Sequence, residues 1–238
     1  MSLYRDEGVV LRTMRLGEAD RIVAMLTRGH GKVRAVVKGV RRTRSKFGGR
    51  LEPLSHVALL CWKGRDLDIV NQAEVLDGFR MVREDLSRVA KAFTVLEVAD
   101  QVAQEHHPNP RLYDMVVRAL RSLESADAAL LLPGFLLKAL ALEGSSPVVD
   151  HCASCGAPED LVAFDLSDGG MLCRACRRGR PVSPEALDLI RRILGGGLSA
   201  ALAEPSSAVT DEVVDLACEA METHLDRRLR SVRSSPAQ

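Results

Sequence analysis

The 238-residue chain carries 33 Lys/Arg against 32 Asp/Glu, with 46% hydrophobic and 27% charged residues, an ordinary globular composition. Its longest apolar run, Ala128 to Leu142, is about fifteen residues, shorter than the roughly twenty that a membrane span needs, and Pro133, Gly134 and Lys138 interrupt it. The net charge of +1 conceals an asymmetry: residues 1–80 hold 16 Lys/Arg against 9 Asp/Glu, and the remainder 17 against 23. A basic N-terminal domain, 1–80, is therefore expected before a mildly acidic one, 81–238.

From Tyr4 to Phe79 the pattern is that of strands. Five β-rich runs, 4–16, 19–28, 31–40, 54–62 and 67–76, are each bounded by Gly, Asp, Pro or charged clusters. In the third, Val33, Ala35 and Val37 alternate with Arg34, Val36 and Lys38, so one face turns inward and Arg34 and Lys38 point out together. Gly29 and Gly31 flank His30 in a tight hairpin between the second and third strands. Five strands in so short a segment predict a small closed barrel of the oligonucleotide-binding (OB) type, with an SH3-like barrel fitting the periodicity nearly as well.

Lys32 to Arg50 contains eight Lys or Arg and no acid, and the acid-free zone runs from Arg21 to Leu51. Such a run repels itself, so a compact domain keeps it on a solvated face or against a polyanion. Gly39, Gly48 and Gly49 punctuate it, which suggests a flexible loop between two strands. Arg34, Lys38, Arg41, Arg42, Arg44, Lys46 and Arg50 are the candidate contacts to a nucleic-acid backbone. Only eight aromatics occur in the chain, and Phe47 is the barrel residue expected to be exposed enough to stack on a base; its other reading is a pin that fixes the loop. Binding of this kind is dominated by phosphate contacts, weakly sequence-selective and steeply salt-dependent.

After Phe79 the period changes from two to 3.6. A helix is expected from Leu86 to about Glu105 with Leu86, Val89, Ala90, Phe93 and Leu96 on its apolar face. The prolines of His106–Pro110 break it, and Pro110 opens a second helix over 111–123. Ser125 or Asp127 is placed to cap a third, with Pro133-Gly134 as a kink and Gly144 to Pro147 as its end. Ser183-Pro184-Glu185 starts a helix to about Leu194, stopped by Gly195 to Gly197, and a longer one runs from about Thr210 to Leu229.

Between these helices, in 150–180, lie Cys152-Ala-Ser-Cys155 and Cys173-Arg-Ala-Cys176. Two CxxC loops at this separation are the spacing of a zinc knuckle. Cys152, Cys155, Cys173 and Cys176 together close a tetrahedral sphere and leave no position for water, so one structural Zn²⁺ is predicted rather than a catalytic one. A zinc deaminase would need an HxE element and a Pro before the second CxxC, where this chain has His151-Cys152-Ala153 and Leu172. Cys61 and Cys218 read as small core residues, and His106-His107 lacks the spacing of a metal or triad site. No GxGxxG, GxxxxGK[ST] or GxSxG occurs, and Glu18 and Asp20 suit ion pairs with Arg15 or Arg21 better than acid–base work. No catalytic constellation emerges, and a non-enzymatic protein is expected. Charged residues throughout the first twenty argue against a secretory signal and for a cytoplasmic protein.

Tyr4–Arg12 (YRDEGVVLR), Gly17–Val23 (GEADRIV), His30–Gly39 (HGKVRAVVKG) and Arg41–Pro53 (RRTRSKFGGRLEP) closely resemble the N-terminal part of the RecO family of bacterial recombination mediators. The resemblance extends in order over the barrel, helices, four-cysteine insert and final helices. It implies an α+β protein: a five-stranded OB-fold barrel followed by an all-α helical domain with the zinc knuckle inserted. It also implies DNA repair and homologous recombination without catalysis. Expected activities are binding of single- and double-stranded DNA, annealing of complementary strands and, with the partner RecR, loading of RecA onto DNA coated by single-strand binding protein. The C-terminal tail of that coat protein is expected to bind the helical region. An RNA-binding or ribosome-associated barrel with a zinc module is the alternative from another class, slightly disfavoured by the scarcity of aromatics.

Overall fold

The computed structural model describes residues 2–43 and 45–231, which form two compact units dividing between Ser125 and Ala126. In the first unit β1 (Leu3–Leu16), β2 (Asp20–Thr27), β3 (Gly31–Val37), β4 (His56–Trp62) and β5 (Asp68–Asp77) close in the order β1-β2-β3-β5-β4. β1 is long enough to serve two neighbours. Leu3–Val9 pairs with β4, Gly8–Leu16 with β2, and a bulge between Val10 and Arg12 turns the strand from one to the other. Parallel pairing of Ala35 with Asp68 and Val36 with Ile69 completes the ring, so the barrel is OB-like.

The alternation read along β3 holds. Val33, Ala35 and Val37 are fully buried, with Val10, Val23, Met25, Val57, Leu59, Cys61 and Val70 around them. Burial also pushes the Cys61 thiol up to about 12, so it behaves as a core residue. Gly31, at φ 70°, sits where a Cβ would lie 2.2 Å from the His107 carbonyl oxygen, and the hairpin requires glycine on both counts.

The first three helices, α1 (Arg80–Glu84), α2 (Leu86–Val102) and α3 (Pro110–Ser125), belong to the same compact unit as the barrel. Asp85 caps α2 by accepting from Arg88 N. This helix stops at Val102, short of Glu105, and buries Ala92, Val95, Leu96, Val98 and Ala99. Leu86 and Phe93, expected on the apolar face, lie exposed because α2 packs on both α3 and the β1–β2 side. Arg12 Nε meets Asp100 at 2.6 Å, and Lys32 Nζ donates to the Asp100 carbonyl at 2.6 Å. A hydrogen-bonded relay joins barrel to α3: His56 Nδ1 lies 3.0 Å from Asp77 and its Nε2 2.8 Å from the Tyr113 hydroxyl, while Arg121 donates to Asp77 at 2.8 Å.

In the second unit α4 (Leu131–Leu142) is apolar on nearly all sides and buried. Pro133 and Gly134 fall in its first turn, where a missing N–H costs no helical hydrogen bond, so they do not kink it. Leu130 occupies the N-cap position without a side-chain bond, in place of Ser125 or Asp127. The cysteine segment contributes a small sheet that helical expectation did not include: β6 (Leu161–Asp165), β7 (Gly170–Cys173) and β8 (Arg180–Pro181), ordered β7-β6-β8. Ser183 caps α5 (Pro184–Arg192) by accepting from Ala186 N at 3.2 Å. The three glycines end this helix as expected: Gly196, at φ 98°, lies outside helical space, and the chain kinks there before the short α6 (Leu198–Ala201). α7 (Ala208–His224) starts on a Ser207–Thr210 capping box and stops five residues short of Leu229. Among the described residues no helix is long and apolar enough to cross a membrane.

Candidate nucleic-acid interface and metal centre

The basic stretch leaves the barrel at Lys38 and returns at Ser55, and it is not a free tether. At its start Asp20 Oδ1 accepts from Gly39 N at 2.7 Å, and the Ala19 carbonyl accepts from Arg41 N at 3.0 Å. Its second half winds through turns closed by Arg50 N to Phe47 O, Glu52 N to Gly49 O and Ser55 N to Glu52 O. Phe47, Leu51 and Leu54 are all 2% exposed or less, and Phe47 and Leu51 join the barrel core. Phe47 therefore pins the loop and is not presented to a base. The most exposed barrel aromatic is Trp62, at the end of β4, which the period-two pattern gave no reason to single out.

Burying the apolar residues of this loop forces its cations outward. Lys38, Arg41, Arg42, Lys46 and Arg50 are exposed. Arg41 Nη1 donates to the Glu18 carbonyl (2.9 Å), Lys46 Nζ to the Asn71 carbonyl (2.8 Å) and Arg50 Nη1 to the carbonyls of Lys46 (2.7 Å) and Phe47 (3.3 Å). Among the described residues none of the five pairs with a carboxylate. A neutral carbonyl fixes a cation in place without cancelling its charge, so the loop presents an ordered, uncompensated positive surface.

Five cations on or beside the strands are treated in the opposite way. Arg12 and Lys32 meet Asp100, Arg21 meets Glu52, Arg28 lies 3.8 Å from Asp114, and Arg34 lies 3.8 Å from Glu105. Arg34 is thus separated in chemistry from the loop set. Arg44 falls outside the described residues. Neither Glu18 nor Asp20 forms the expected ion pair with Arg15 or Arg21: Asp20 holds Gly39, and Arg21 turns to Glu52.

In the second unit, the Sγ atoms of Cys152, Cys155, Cys173 and Cys176 all lie within 4.8 Å of one another. Cys173 is the last residue of β7, and the turn after it is closed by Cys176 N on the Cys173 carbonyl at 3.1 Å. The first loop is closed by Gly156 N on the Cys152 carbonyl at 2.8 Å, with Gly156 at φ 81°. Cys155 and Cys173 sulfurs are 3.7 Å apart, close to the about 3.8 Å edge of a tetrahedron with 2.3 Å Zn–S bonds. Backbone N–H groups around Cys173, Cys155 and Ser154 draw the Cys152 thiol down to about 6. Cys176 moves the other way, up to about 12, because its thiol hydrogen-bonds to Cys155 and Cys173. The donor set fits a structural zinc ion, and Cys61 and Cys218 take no part in it.

Two family models match the chain: the N-terminal part of recombination protein O over residues 1–79, and its C-terminal part over residues 83–233. The chain belongs to the RecO family. Its role is accordingly that of a DNA-binding mediator in repair and recombination. The boundary between the two RecO matches falls after β5, whereas the compact RecO units divide after α3.

Proposed function

We propose that this RecO protein binds the sugar-phosphate backbone of single- and double-stranded DNA through Lys38, Arg41, Arg42, Arg44, Lys46 and Arg50, with Arg34 at the margin, and anneals complementary strands there. With RecR it would load RecA onto single strands coated by single-strand binding protein, whose C-terminal tail docks on the helical region. It makes or breaks no covalent bond. Cys152, Cys155, Cys173 and Cys176 hold one Zn²⁺ that ties β7 to the preceding loop and takes no part in any reaction. The protein acts in the cytoplasm, on the nucleoid.

The observation that supports this reading best is the division of the cations. Five exposed loop side chains keep their charge, while Arg12, Arg21, Arg28, Lys32 and Arg34, on or beside the strands, lie against acids. Two phosphate backbones repel, and a neutralising surface with little base readout holds both without choosing a sequence. The test is a salt-titrated binding and annealing assay on complementary DNA oligonucleotides, with RNA of equal length as comparator. Affinity falling linearly in log–log form with salt, and annealing accelerated in step with binding, is the expected result. A clear preference for RNA, or no acceleration of annealing, defeats it.

A further inference from the structure

Beside the loop, the first unit contains a cavity of about 430 Å³ lined by Phe47, Gly48, Gly49, Arg50, Ser55, Val75, Gly78 and Arg83. This falls in the roughly 300–1,000 Å³ range of small-ligand sites. No acid lines it, and two arginines do. Both are fixed by neutral acceptors only. Arg83 donates from Nε to the Gly78 carbonyl (2.8 Å) and from Nη2 to the Pro53 carbonyl (2.8 Å) and Ser55 Oγ (3.3 Å), and Arg50 donates from Nη1 to the Lys46 and Phe47 carbonyls. Each guanidinium is held in place with donors left over, the arrangement that suits an anionic oxygen group. Val75, 46% exposed, supplies an apolar wall.

Gly49 is the second observation. Its φ is not positive, and a Cβ built there meets no atom within 4 Å, so the fold does not require glycine at this position. Glycine leaves the backbone bare where something outside the chain approaches closely.

We infer that this cavity receives one nucleotide of a single DNA strand, its phosphate between Arg50 and Arg83 and its sugar face over Val75. The strand so held crosses from the basic loop towards α1, and Arg83 becomes a DNA contact outside the acid-free stretch. The inference rests on the loop being the DNA-binding surface. It adds a preference: a nucleotide enters such a cavity only when it is free of a duplex stack, so single strands gain from it more than duplexes.

The test compares full-length Gly49→Leu, Arg83→Gln and Arg42→Glu proteins with wild type, using a dT oligonucleotide and a duplex of equal length. Gly49→Leu fills the cavity without straining the backbone and is expected to weaken dT binding about tenfold while the duplex loses much less. Arg83→Gln is expected to lower the log–log salt slope on the single strand by about 0.7, the value of one phosphate contact. Should Arg83→Gln also lower the melting temperature, Gly49→Leu decides. If Gly49→Leu binds dT as wild type does while Arg42→Glu is weakened, the nucleotide site is wrong and the loop reading stands. If neither variant is weakened, both fail. Equal losses on single strand and duplex overturn the claimed preference.

Discussion

Asp20 Oδ1 accepts the backbone N–H of Gly39 at 2.7 Å, and so the acid nearest the start of the basic loop is spent on the main chain, not on an arginine. The bond ties the β1–β2 turn to the loop and leaves Arg41 and Arg42 charged and outward. Removing the carboxylate by Asp20→Ala raises the local positive charge by one unit, which on charge alone would strengthen DNA binding. The expected result is the reverse. The loop start loses its anchor, the barrel loses about 1 kcal/mol, and single-strand affinity drops at constant salt. A rise in affinity would mean that loop order contributes nothing.

Arg41→Glu with Arg42→Glu should weaken binding and flatten its salt dependence with the fold unchanged, because neither side chain meets a carboxylate or the core. If both contact phosphates, the slope on single-stranded DNA falls by about 1.4, at about 0.7 for each contact. Circular dichroism serves as the check on folding, and an unaltered slope removes the loop from the interface.

Much of this was legible along the chain, and what was not has a physical reason. Strict alternation in β3 named its buried face, since period two follows from the pleat alone. Paired CxxC loops named the four sulfurs because a knuckle is local geometry. Phe47 was ambiguous, as a phenyl ring in a basic loop looks the same whether its contacts are long-range or absent. Leu51 and Leu54, four and seven residues on, were the available signal that this half of the loop folds inward. Arg83 could not be found at all: it reaches Pro53 and Ser55 across thirty residues of sequence. The glycine run at 195–197 was legible as a helix stop, since Gly196 at φ 98° lies outside helical space.

Phe47 offers a clean separation of packing from stacking. Phe47→Ala opens a void in the barrel core and should cost about 3–5 kcal/mol, with DNA affinity falling because the loop is released. Phe47→Leu keeps an apolar plug, should cost less than about 1.5 kcal/mol, and should bind DNA as wild type does. Fluorescence of Trp62, the only tryptophan, reports unfolding of this unit. A loss of affinity in the stable Leu variant would return the ring to the DNA.

Asp77 makes the barrel-to-α3 relay sensitive to acid. Burial alone would raise its pKa, but hydrogen bonds from His56 and Arg121 outweigh that and hold it below the ordinary carboxylate value. A carboxyl depressed on folding contributes stability that is fully present above its unfolded pKa of about 3.9 and is lost as pH falls through the lower folded value. Asp77→Asn should therefore lower the melting temperature at neutral pH, and the gap from wild type should close as pH falls from about 5 towards 3. A gap that persists unchanged into acid would assign the effect to shape rather than charge.

The metal prediction can be separated from the DNA prediction because the four sulfurs and the basic loop lie in different compact units, each with its own core. Cys155→Ser removes one of four ligands, and the purified protein should fall from one bound zinc per chain to none by atomic absorption. Hydrogen exchange over 150–180 should accelerate, since β7 and its turns then lose the ion that cancels thiolate repulsion. Chelation of wild-type protein should reproduce both effects. Cys61→Ser and Cys218→Ser should keep full zinc occupancy, because neither thiol belongs to the cluster. Single-strand binding by the Cys155→Ser protein should hold within about twofold of wild type, the spread expected of an interface whose phosphate contacts are untouched. A parallel collapse of zinc content and DNA affinity would make the knuckle part of the binding surface, with Arg174, Arg177 and Arg178 the side chains to substitute next.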